Sequence, residues 1–300
     1  MDAVPALFDP VEIRRVQRRN DMRSLVLVLT AVGIGCVVVP TPSALLLYVE
    51  TWDAERARAQ LDAYERENRP RPPVPLPTRR ALVGLDAALA YAAVLTFFFA
   101  ADTRHAFGLD WSEIGAAIAG PIREGAWWRT VTALTLHADF AHLAGNMIAG
   151  GLISLVLSQI LGPGLAWAAI LLSGALGNGL NILFHAPDYA SVGASTALFG
   201  ALGILSGHLR RRRVLPWRGG VHHLAPIGGG VLLLAFLGFG GERTDVGAHM
   251  AGFAVGLLLG WLLAHFEKRV PEGPRAQWAY AGSTVFLIAL AWALALHASG

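Results

Sequence analysis

The chain has 300 residues, of which 54% are hydrophobic and 15% charged, and a mean hydropathy of +0.50, whereas a soluble domain carries about 25% charged residues. That balance excludes an ordinary soluble protein, and the long unbroken apolar runs exclude an outer-membrane barrel, whose strands alternate in polarity over about ten residues. The net charge is only +3 and the arginines sit beside apolar segments, so they read as topology signals and no nucleic-acid surface is expected.

In chain order, residues 1–23 form a polar, basic N-terminus with Arg14, Arg15, Arg18, Arg19 and Arg23. The apolar stretch that follows exceeds the 7–15 residues of a signal-peptide core. Residues 24–49 are therefore expected to be an extra N-terminal transmembrane helix, kinked at Pro40-Thr41-Pro42. Cys36 lies in this stretch as the only cysteine, which removes disulfides and cysteine-based metal sites. Residues 50–80 form a charged and then Pro-rich cytoplasmic linker, its first half a short surface helix and its second half extended through Pro70-Arg71-Pro72-Pro73.

After Arg79-Arg80 the pattern predicts helices over 81–101, 133–160, 164–184, 195–210, 222–239, 246–266 and 277–298. Each is near the roughly 20 residues that span a bilayer, although the fourth and fifth are short or Gly-rich. The first six make a core over 81–268, and 277–298 is an extra helix at the C-terminal end. The long connector 102–132 holds Trp111, Trp127, Trp128 and Arg129 and is expected at the membrane interface. Arg79-Arg80, Arg210 to Arg213 and Lys268-Arg269 all become cytoplasmic when the core helices alternate, which puts the connector and the start of the 195–210 helix on the opposite side. The same count leaves Arg14 to Arg23 on the non-cytoplasmic side, against that rule.

The chemistry centres on Ser191-Val192-Gly193-Ala194-Ser195-Thr196. Ser195 opens an apolar helix and has no base near it in sequence, so a base must come from another helix. His249 lies three residues before Gly252 and seven before Gly256, on one helical face, and the glycines let a neighbouring backbone come close enough for the imidazole to reach a serine. His142 and Asn146 are four residues apart and share a face; both donate hydrogen bonds without a fixed charge, as a developing oxyanion requires. Backbone N–H groups at the start of the Ser195 helix add to that environment. His142 and His249 as metal ligands lack a convincing third, because Asp139 and Asp245 sit near helix mouths and no H-E-x-x-H is present. His137 reads as a structural or water-access residue near the aqueous mouth. His222, His223, His265 and His297 lie near helix ends.

These motifs resemble those of the rhomboid intramembrane serine proteases: Trp128-Arg129 in the first long connector, His142-x-x-x-Asn146, Gly193-Ala194-Ser195-Thr196 and Ala248-His249-x-x-Gly252-x-x-x-Gly256, in that order. The resemblance implies an all-α membrane protein with a rhomboid-like six-transmembrane-helix core and an extra helix at each end. It implies Ser195 as nucleophile and His249 as general base in a dyad. His142 and Asn146 would stabilise the oxyanion, Gly193, Phe199, Gly252, Gly256, Trp128 and Arg129 would support the packing, and the helix over 222–239 would be the lateral gate. Two positions depart from the family pattern, Thr196 where Gly is frequent and Phe199 where Tyr is frequent. No metal or cofactor is implied. The partners implied are single-span transmembrane substrates and the lipid bilayer, and the absence of an organelle presequence suggests the bacterial inner membrane. The alternative is a non-catalytic rhomboid-like protein that binds transmembrane clients; a transporter would show inverted repeats, which this sequence lacks.

Overall fold

The computed structural model describes residues 9–68, 83–212, 228 and 245–299. The chain divides into two compact units, Met1–Arg71 and Pro72–Gly300.

The N-terminal unit overturns the expectation for residues 24–49, which do not form a transmembrane helix. Here β1 (Pro10–Val16), α1 (Arg19–Ala31), β2 (Cys36–Pro40), β3 (Leu45–Glu50) and α2 (Ala54–Glu67) build a three-stranded antiparallel sheet of order β1-β3-β2 with two helices. Three local signals divide the apolar stretch. In α1, Met22, Leu25 and Leu29 are buried while Arg23 and Leu27 are exposed, which is the periodicity of a helix with one wet face. Gly33 then takes φ +73, and the Ile34 N–H to Leu29 O and Gly33 N–H to Thr30 O bonds, 2.9 and 3.1 Å, close a Schellman cap that ends the helix. Finally Pro40-Thr41-Pro42 is a hairpin turn, where the Thr41 and Ala44 backbones bond at 2.8 Å and Val38 pairs with Leu47 across the strands. The apolar residues therefore fill a small core of Ile13, Met22, Leu25, Leu29, Ile34, Leu47, Val49, Ala57 and Leu61. Arg14 bridges from β1 to Asp62 and Glu65 on α2. The surface helix expected in the linker is α2, packed through Ala54, Ala57 and Leu61.

The larger unit has the all-α membrane architecture expected. Its long helices are α3 (Leu85–Thr103), α7 (Phe140–Leu161), α8 (Pro163–Ile182), α9 (Ser195–Arg212), α10 (Val246–His265) and α11 (Pro274–Ser299). Among the described residues, all of these but α9 are long and apolar enough to cross a membrane, so the chain is a multi-pass integral membrane protein. The helix expected over 222–239 falls outside the described residues. The helix expected to start at 133 begins instead at Phe140, because residues 129–135 form short turns, α6 (Arg129–Thr132) and a 3-10 turn (Ala133–Thr135).

α9 is buried along nearly its whole length, packed by α7, α8 and α10. Its seam with α10 is made of small residues. A methyl group at Gly252, Gly256 or Gly260 would strike the carbonyl of Thr196, Gly200 or Ile204, and one at Gly203 or Gly207 would strike that of Phe253 or Leu257. Close backbone approach of this kind replaces the hydrophobic effect, which is absent between helices in lipid.

The connector between α3 and α7 folds into short pieces: α4 (Trp111–Gly115), β4 (Ala117–Ile118) and α5 (Ala119–Arg123), followed by α6. β4 pairs with β5 (Ala190–Ser191), which ties the connector to the segment leading into α9. Arg129 donates to the carbonyls of Glu113 and Ala116, both at 3.0 Å, and so satisfies the exposed end of α4.

Candidate active site

Ser195, His142 and His249 each lie in the first turn of a long helix, and aspartate caps set two of those turns. The Asp139 carboxylate accepts from His142 N–H at 2.8 Å and starts α7. The Asp245 carboxylate accepts from Ala248 N–H at 3.0 Å and starts α10 at Val246, three residues before His249. Ser195 is the first residue of α9. Three helix N-termini therefore meet at one place; those of α7 and α10 are capped by carboxylates, and the start of α9 presents backbone N–H groups and a positive dipole end to a developing negative charge.

Ser195 Oγ lies 2.8 Å from His249 Nε2, so the hydroxyl can donate to a neutral imidazole. His249 is only 6% exposed, and the Phe199 ring lies against it with centroids 4.3 Å apart and planes at 38°. Phe199 is itself 1% exposed and packs with Leu202 and Phe253, so this wall depends on ring contact and needs no hydroxyl.

Gly193 explains how His142 reaches the serine. It has φ +136, and a methyl there would lie 2.6 Å from His142 Cε1, 2.8 Å from His142 Nε2 and 3.6 Å from Ser195 Oγ. The bare Cα leaves a space shared by the His142 ring and the serine hydroxyl. Asn146 is one turn deeper, 4% exposed, and donates one amide proton to His142 O at 3.0 Å; the second amide proton remains for another acceptor. Gly252 and Gly256 lie in the α9–α10 seam, and Trp128 and Arg129 lie in the connector.

A narrow cleft lies beside the serine, lined by Ala133, Asn178, Ser191, Thr196, Asp245 and Ala248 among others. Thr196 is buried, and its methyl lies where Gly177 of α8 and Gly252 of α10 leave room. The departure from the family's Gly thus fills a three-helix notch.

Three further residues support the site. His137 is 2% exposed. Its Nε2 faces the Ala194 N–H at 3.5 Å, and its ring meets that of His142 edge-on at 5.0 Å. Burial, and then the neighbouring His142, push its pKa down to about 4, so the ring is neutral near pH 7. Asn178 donates to Thr130 O at 2.9 Å and joins α8 to the connector. Asp245, besides capping α10, accepts from Tyr189 Oη and, at 3.0 Å, from Asn181 Nδ2. The Asp-x-x pattern ahead of His142 and Ala248 was a legible cap signal; the Tyr189 and Asn181 contacts carried none.

A model of the rhomboid domain matches residues 124–266. The protein named "Putative rhomboid protease YdcA" of Bacillus subtilis is 32% identical over 184 residues, 60% of this chain and 88% of that one. Rhomboid protease GluP of the same bacterium is 30% identical over 182 residues, 59% of this chain but 33% of its own. RHOMBOID-like protein 7 of Arabidopsis thaliana is 38% identical over 141 residues, 45% and 42% of the two chains. The matched part thus spans most of one relative and less than half of the other two. With the motifs, the helices and this likeness together, the chain belongs to the rhomboid family.

Proposed function

We propose that the protein is an intramembrane serine endopeptidase that cleaves transmembrane segments of single-span membrane proteins with a Ser195–His249 dyad. The observation that carries this reading is the 2.8 Å contact between Ser195 Oγ and His249 Nε2 at a convergence of helix N-termini. His249 takes the hydroxyl proton as Ser195 Oγ attacks the scissile carbonyl. The C–O bond formed leaves a negative charge on the carbonyl oxygen, and His142, Asn146 and the first N–H of α9 are its donors. His249 then gives its proton to the leaving amine, the C–N bond breaks, and water attacks the acyl-enzyme with His249 again as base. An orienting carboxylate on His249 is dispensable, because Phe199 and the tight seam of α9 and α10 restrain the ring.

A protein that only binds transmembrane clients gains nothing from a buried Ser–His hydrogen bond, and burying such groups without use is costly. The test is cleavage of a labelled single-span reporter by purified protein in liposomes. Wild type cuts; Ser195→Ala and His249→Ala each lose at least about 10³-fold. Binding of the reporter without cleavage by all three proteins would favour the client-binding alternative.

A further inference from the structure

We propose that the C-terminal helix α11 positions the oxyanion-binding turn of the active site, acting through Trp292, Thr135 and the segment 133–137. This rests on the serine-protease reading above. The segment works as a bracket that makes contacts on two sides. At one side Ala133 O accepts from Gly193 N–H at 2.9 Å, and His137 Nε2 faces the Ala194 N–H at 3.5 Å. These two contacts set the backbone immediately before Ser195. At the other side Thr135 Oγ1 accepts from Trp292 Nε1 at 3.1 Å and donates to Thr132 O at 2.7 Å.

Trp292 is itself fixed. It is 5% exposed, stacks on Phe98 with centroids 4.5 Å apart at 12°, and meets Trp111 at 5.3 Å. A methyl at Gly115 would lie on the indole, so α4 leaves room for that ring. At its other end α11 is held by Gln277, whose Oε1 accepts from Leu165 N–H and whose Nε2 donates to Leu161 O, both at 3.2 Å. The helix is thus pinned at the α7–α8 turn and presses one side chain into the bracket. Both partners are buried, Thr135 at 3% and Trp292 at 5% exposure, so breaking the bond leaves a buried indole N–H unsatisfied, which is costly, and small displacements of oxyanion donors cost large factors in rate. Trp292 and Thr135 are positioning residues: neither lines the cleft beside Ser195.

The experiment measures kcat and KM for a fluorogenic transmembrane peptide, and the rate of Ser195 labelling by a fluorophosphonate, on the full chain in liposomes. Thr135→Val keeps the shape and loses the hydroxyl; Thr135→Ser keeps the hydroxyl; Trp292→Phe loses the indole N–H. The expected result is a roughly tenfold fall in kcat and in labelling for Thr135→Val and for Trp292→Phe, with KM within about twofold. Thr135→Ser stays within about twofold of wild type, and the double variant Thr135→Val/Trp292→Phe is no worse than either single one, because both remove the same bond. Should Trp292→Phe fail to fold, the contrast between Thr135→Val and Thr135→Ser decides alone. An active wild type with Thr135→Val equally active, with the loss in KM, or with Thr135→Ser as impaired as Thr135→Val, overturns the proposal. A wild type inert to both peptide and probe brings down the protease reading, and this proposal with it.

Discussion

Residues 24–49 and α10 are two apolar stretches of similar length that fold in opposite senses. In the first, the large residues Leu25, Leu29, Leu47 and Val49 are buried, while Thr30, Thr41 and Ser43 are exposed. In α10 the buried face includes Gly252, Gly256 and Gly260, while Met250 and Leu258 are each 58% exposed and Trp261 41%. One stretch hides its large residues from water; the other turns them to lipid and packs on its small ones. Hydrophobic content does not separate these cases. The position of the small residues does: glycines in the first stretch end a helix, and glycines in α10 recur on one face.

The sharpest way to break this comparison is to enlarge the seam. Gly256→Leu drives a side chain into the Gly200 carbonyl, separates α9 from α10, and is expected to reduce peptide cleavage by more than about 10³-fold, whereas Leu258→Ala on the lipid-facing side stays within about twofold. The equivalent change in the N-terminal unit acts on stability alone. Leu47→Ala opens the small sheet core and costs about 3 kcal/mol there, visible as faster hydrogen exchange of residues 9–68 in the full chain, with cleavage unchanged.

Acid gives an intermediate effect in the larger unit. The pKa of His137 is depressed to about 4 from 6.5, so between those values the unfolded chain binds the proton and the native one does not. Stability is complete above pH 6.5 and is lost as pH falls towards 4, by at most roughly 3 kcal/mol. Thermal unfolding in detergent at pH 7 and pH 4.5 measures it, and His137→Gln should shrink the difference. The smallest effect falls on a turn. Gly33→Ala forces a Cβ into φ +73 and costs about 1 kcal/mol in the N-terminal unit, readable by the same hydrogen exchange.

How much of this was legible in the sequence depends on whether a signal is local. The order of the motifs gave Ser195, His249, His142 and Asn146, and the structure brings Ser195, His249 and His142 together while keeping Asn146 a turn deeper, bonded to its own helix. The aspartate caps and the glycine face of α10 were equally visible. The error over 24–49 came from weighing length and hydropathy above periodicity: Met22, Leu25 and Leu29, the cap at Gly33, the β-branched run Val37-Val38-Val39 and the Pro-x-Pro turn all spelled a helix and a hairpin. The sequence suggested a structural part for His137 but not its partner, and the pairing of Thr135 with Trp292 could not have been read. The bond between the last two joins residues 157 positions apart, and nothing in the composition of α11 distinguishes a supporting tryptophan from one at an interface.

The central claim is that Ser195 is a nucleophile made reactive by His249. The most direct measurement is mass spectrometry of the full chain in liposomes after treatment with a fluorophosphonate. Adduct on Ser195 in wild type, abolished in Ser195→Ala and reduced at least about 10²-fold in His249→Ala, is the predicted result. Equal labelling of Ser195 in wild type and His249→Ala, or no adduct on Ser195 in wild type, would contradict it.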